Sequence, residues 1–200
     1  MLEMTTQSVY HGDVSEPSEN IMALELTLYP NPVLKKRAPA VETINTELRD
    51  RVREMFEVMY REHGIGLAAP QVSWSTRLFV INVEGDPEEG EELVLINPQI
   101  VASSKEEDVD EEGCLSLPDI RGRVARSLTV RVKAQDLDGK WFELEAEDLL
   151  ARAIQHELDH LDGILFVDRI SPLKRQLMRG TLKRLKKEGE AWDRRHLPVG

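Results

Sequence analysis

The sequence predicts an α+β fold: a mainly antiparallel sheet packed around one central helix, closed by a C-terminal helix. Three observations carry this. Residues 44–62 place apolar side chains on one face at helical spacing. Residues 128–134 and 141–145 alternate apolar and polar across Asp138-Gly139, which is a hairpin signature. A second helical pattern, about 146–162, comes after the run of strands rather than between them, so the strands need no parallel crossovers.

The elements follow in chain order. In the first helix Ile44, Leu48, Val52, Met55, Phe56, Met59 and Tyr60 form the apolar face, with Thr43 or Asn45 as N-cap and Gly64 as the stop. Strands are expected at Leu78–Val83, Leu93–Ile96, Leu128–Ala134 and Trp141–Glu145. The acidic stretches Glu84–Glu92 and Glu106–Glu112 read as solvated loops between them. The second helix carries Leu149, Leu150, Ala153, Ile154, Leu158 and Leu161, and Gly163 ends it. Ser171-Pro172, an N-cap followed by proline, opens a third helix of roughly 17–22 residues. Its Leu173, Leu177, Leu182 and Leu185 are expected to pack on the body.

Composition narrows the function classes. A chain of 200 residues with 40% hydrophobic residues can build one sizeable core. A net charge of −11 excludes a protein that coats nucleic acid with its whole surface, although residues 171–200 hold nine Lys/Arg against three acids. The single cysteine, Cys114, excludes an internal disulfide framework. Apolar runs are far too short to span a bilayer, and residues 1–21 lack the basic start and apolar centre of a secretory signal. The expectation is a cytoplasmic protein with no membrane partner. Its parts are a disordered leader (1–21), a main domain (22–170) to which the motifs below assign catalysis, and a basic C-terminal helix and tail (171–200).

The chemistry gathers on His156-Glu157-Leu158-Asp159-His160, within the second helix. Histidines at i and i+4 share a helix face and can reach one cation, while Glu157 beside them can take a proton from water. A catalytic site of this kind needs a third protein ligand. Six residues past the second histidine stands Phe166, and the next helix is dominated by Lys and Arg, so neither supplies it. His11 lies in the leader, His63 at a helix end and His196 in a polar tail. Cys114 is the remaining candidate, within Glu112-Gly113-Cys114-Leu115-Ser116-Leu117-Pro118.

Together with Gly64-Ile65-Gly66-Leu67-Ala68-Ala69-Pro70-Gln71-Val72 and Gln155-His156-Glu157-Leu158-Asp159-His160-Leu161-Asp162-Gly163, that segment gives three motifs. In order and separation they resemble the peptide deformylases, and weaker similarity extends over about 22–175. The resemblance implies hydrolysis of the N-terminal formyl group from formylmethionine of newly made polypeptides, releasing formate. It implies one divalent metal held by Cys114, His156 and His160: Fe²⁺ is expected, and the same ligands also suit Zn²⁺, Ni²⁺ or Co²⁺. It assigns proton transfer to Glu157, and stabilisation of the formyl oxygen to the Gln71 side chain and the Leu115 backbone N–H. Substrate contacts fall to Gly64, Ile65, Gly66, Gly113 and Arg121, with Leu149, Ala153 and Ile65 as candidates for the methionine pocket. Glu112 and Arg126 would pair to hold the Cys114 segment. The basic C-terminal helix is expected to meet the ribosome near the exit of the nascent chain. Two other readings stand beside this one: a metallopeptidase cutting internal peptide bonds, and a structural metal module or inactive relative serving as a ribosome-bound adaptor.

Overall fold

A computed structural model of the chain describes residues 24–196, with side chains described to residue 191. The leader expected at 1–21 lies outside the described residues. Helix α1 (Thr46–Arg61) starts where Asn45 accepts the Leu48 N–H at 2.9 Å, and buries Leu48, Val52, Met55, Phe56 and Met59. His63, not Gly64, takes the left-handed conformation beyond its end (φ 56°).

Five strands form one antiparallel sheet in the order β1 (Gly66–Ala68), β2 (Leu78–Ile81), β3 (Leu93–Ser103), β6 (Thr129–Gln135), β7 (Trp141–Glu147). Strand β3 continues well past Ile96, where Asn97-Pro98 signals a break. The register shifts between Ile96 and Gln99, and Asn97 sits there at φ 53°. Its amide bonds Val41 N, Val41 O and Gln135, so the bulge absorbs the missing proline N–H without ending the strand.

Residues 106–112 are not a loop. Residues Glu107–Cys114 form β4, paired antiparallel with β5 (Leu117–Ser127) in a second, two-stranded sheet. Residues 107–111 are exposed on both faces, so β4 carries no apolar alternation to betray it. On β5 the inward positions include Gly122 and Arg126 beside Ile120 and Val124, which blurs its pattern.

Helix α2 (Asp148–Leu161) lies against the five-stranded sheet and buries Ala151, Ala153, Ile154 and Leu161 with Phe79, Leu95 and Val132. Gly163 ends it at φ +72°. The expected single third helix is instead α3 (Phe166–Arg169), α4 (Pro172–Leu177) and α5 (Arg179–His196). Ser171 does cap α4, accepting from Lys174 N. The break at Met178 re-aims the apolar face: Leu185 is buried and Leu182 packs beside it, whereas Leu173 and Leu177 are 71% and 79% exposed. The expectation that these two pack on the body is therefore wrong. Among the described residues, no helix is long and apolar enough to cross a membrane.

Candidate metal centre

Three elements converge on one end of α2. Helix periodicity puts His156 and His160 on the same face, their rings 5.0 Å apart edge-on. The end of β4, just before the tight turn into β5, carries Cys114, and the chain after β1 carries Gln71. One donor atom from each of Cys114, His156 and His160 lies within 4.8 Å of the others, and Cys114 Sγ is 3.2 Å from His160 Nε2. A thiolate and two imidazoles, drawn together this closely, suit a divalent first-row ion, and a three-ligand set leaves a coordination position for water or substrate. The expected ligand set thus fits such an ion.

The two histidines are held differently. His156 Nδ1 lies 2.9 Å from Glu112 Oε2, and its ring stacks on Phe166. Burial works against its cation, but hydrogen bonding with Cys114 and Glu112 prevails and pushes the group up to about 10. His160 is buried, and burial together with the neighbouring His156 and Arg126 charges holds it well below the ordinary histidine value. It is therefore a neutral imidazole, the ligating form. Its Nδ1 has no hydrogen-bond partner among the described residues.

Glu157 is buried against Gly66. A Cβ at Gly66 would stand 2.6 Å from Glu157 Oε1, so any side chain there would displace this carboxylate from its present place. Burial pushes the Glu157 carboxyl up to about 7, outweighing the nearby His156 and Arg126 charges that favour the carboxylate. Gln71 is 1% exposed. Its Oε1 accepts the Ala68 N–H at 2.8 Å, which turns Nε2 toward Cys114 Sγ (3.5 Å) and Ser116 Oγ (3.3 Å).

The cleft over these groups has a volume of about 760 Å³. Gly64, Ile65, Gly66, Gly113, Leu115, Arg121, Leu149 and Ala153 all line it, so the expected substrate-contact positions are brought together. Arg121 is the loosest of them, exposed and 3.9 Å from Glu111. The expected Glu112–Arg126 pair is present and buried, with two bonds of 2.9 Å. Arg126 and His156 hold Glu112 well below the usual carboxylate range despite its burial.

Three participants were not anticipated from sequence. Ser116 fixes the Gln71 amide, Asp159 receives Arg126 (2.6 Å) and Arg169, and Arg152 bonds Glu112. Arg152 had a signal: it stands four residues before His156, on the face that carries the histidines.

A family model for polypeptide deformylase matches residues 23–176. The peptide deformylase of Acidobacterium capsulatum is 50% identical over 170 residues, spanning 85% of this chain and 99% of its own. That of Thermodesulfovibrio yellowstonii is 50% identical over 160 residues, spanning 80% and 96%. Among solved structures, a plant peptide deformylase superposes with a TM-score of 0.82 at 37% identity over 94% of this chain and 98% of its own. A Legionella pneumophila peptide deformylase gives 0.77 at 44% identity over 84% and 98%.

Proposed function

This chain belongs to the peptide deformylase family, whose members remove the N-formyl group from nascent polypeptides, and we propose how its own residues carry out that reaction. Water adds to the formyl carbon, the C–N bond breaks, and formate and a free amino terminus leave. Cys114, His156 and His160 hold one divalent ion, Fe²⁺ in the cell, with Zn²⁺, Ni²⁺ or Co²⁺ accepted by the same donors. Bound there, the ion supplies Lewis acidity toward water and the formyl carbonyl.

The rest is done by side chains and backbone. Glu157 accepts the proton of the attacking water on its carboxylate and delivers it to the leaving amine nitrogen. A carboxyl near 7 suits both directions at neutral pH. Gln71 Nε2 and the Leu115 N–H donate to the formyl oxygen as charge gathers on it, each worth about 3 kcal/mol. Gly64, Ile65, Gly66 and Gly113 let an extended peptide approach the backbone, Arg121 meets its later residues, and Ile65, Leu149 and Ala153 receive the methionine side chain. The basic face of α5, with Lys183, Arg184, Lys186 and Lys187, contacts ribosomal RNA near the emerging chain, and the cytoplasm is the proposed location.

The observation that carries this reading is the convergence of Cys114, His156 and His160 beside the buried Glu157. The test is formate release from a formyl-Met peptide by anaerobically purified protein, with metal analysis of the same sample. Stoichiometric formate with no cleavage of unformylated peptides is expected. Cleavage of internal peptide bonds would replace this reading with that of a metallopeptidase.

A further inference from the structure

Glu112 is the most heavily engaged carboxylate in the site. Its Oε1 accepts from Arg126 Nε (2.9 Å) and Arg152 Nη1 (2.8 Å), and its Oε2 from Arg126 Nη2 (2.9 Å) and His156 Nδ1 (2.9 Å). Two oxygens offer about four lone-pair positions in all, so every one is filled by a buried donor. Arg126 cannot turn to compensate for a lost neighbour, because its Nη1 is bonded to Asp159 at 2.6 Å.

Arg152 is the donor that no other group replaces. It leaves α2 one turn before His156 and is buried, with both Nη nitrogens of its guanidinium engaged. Nη1 also reaches Val124 O (3.0 Å), and Nη2 reaches Asp108 O (3.0 Å) and Asp108 Oδ2 (3.2 Å). It therefore joins three things: the metal helix, both strands of the β4–β5 hairpin that carries Cys114, and the carboxylate that orients His156.

We propose that Arg152 is a positioning residue for the metal centre. By occupying Glu112 Oε1 it keeps Oε2 turned to His156 Nδ1, which leaves His156 Nε2 as the ligating nitrogen. Outer partners of this kind set ligand orientation and typically change metal affinity 10–100-fold. The inference rests on Cys114, His156 and His160 holding one ion.

The test is transfer of Zn²⁺ from the full chain to a chromophoric chelator, read as affinity and not as activity. Wild type is expected to bind one Zn²⁺ per chain, and failure of that would overturn the metal-site reading itself. Arg152→Met should lose 10–100-fold in affinity, and in a Glu112→Gln background the same change should cost less than twofold more, because its effect passes through Glu112. Asp108→Asn, which loosens the hairpin contact alone, should leave affinity unchanged. Arg152→Lys keeps the buried charge and remains available if Arg152→Met does not fold; it should fall between wild type and Arg152→Met. Wild-type affinity in both Arg152 variants, or losses for Arg152→Met and Glu112→Gln that simply add, would overturn the proposal.

Discussion

Replacing Gly66 by alanine probes how closely the proton carrier is placed. The new Cβ would lie 2.6 Å from Glu157 Oε1 and 3.1 Å from both Cγ and Cδ, where ordinary contact begins at 3.4 Å. The carboxylate oxygen must therefore retreat by about 0.8 Å. Glu157 is buried on α2, and the retreat is expected to come from turning its side chain, which takes the carboxylate from the place it holds at the cleft. A displacement near 1 Å costs on the order of 10²-fold in rate, or about 2.7 kcal/mol of barrier. Gly66 has no positive φ, so alanine adds no backbone strain and β1 keeps its pairing with Val80 and its neighbours. The account predicts a kcat about 100-fold lower, a KM within about threefold of wild type, and unchanged metal content. Gly180→Ala is the control: nothing lies within 4 Å of its Cβ on α5, and it should leave kcat unchanged while gaining about 0.5–1 kcal/mol in helix stability. Steady-state kinetics on metal-analysed protein decides the matter. A Gly66→Ala enzyme with wild-type kcat would refute the placement of Glu157.

Other consequences concern different links in the chain. Gln71→Ala should lower kcat by about 10²–10³-fold with metal content intact, since it removes a donor to the formyl oxygen and no ligand; metal loss parallel to activity would contradict that division. Gly189→Ala should lower Tm and raise proteolysis of α5, because its Cβ would meet Tyr29 O at 2.1 Å and lift the helix from the body, yet the metal site should survive. Tyr60 gives a pH signature. Burial and the Glu92 contact push its phenol up to about 12 from 10.0, so the folded state favours the neutral form. Its stabilising contribution is complete below pH 10 and is lost as pH rises from 10 through 12. Chemical denaturation should therefore show a steeper loss over that window in wild type than in Tyr60→Phe; equal slopes would refute it.

The parts legible in sequence were those governed by local periodicity. The apolar faces of α1 and α2, the β6–β7 alternation and the His156–His160 spacing each record a helix or strand burying one side. The hairpin β4–β5 was hidden because its stability comes from pairing and from the arginine–carboxylate network, not from an apolar face: Glu107, Asp108 and Asp110 look like a solvated loop in any one-dimensional reading. Arg152 and Arg126 were hard to rank for the same reason. A buried arginine is distinguishable from a surface one only by the carboxylates it meets, Glu112 and Asp159, which lie far away in sequence. The split of the last helix at Met178 had only Gly180 to announce it, and a lone glycine is tolerated within a helical pattern. Cys114 was recoverable by elimination, but its approach to His160 depends on a turn between strands that periodicity does not display.

The central claim is that Cys114, His156 and His160 hold the ion while Glu157 moves the proton. The deformylation rate of Glu157→Gln, on protein with its metal content measured, tests it most directly. The account predicts one metal per chain and a rate lower by about 10²–10⁴-fold. A fully metallated Glu157→Gln protein that releases formate at the wild-type rate would contradict it.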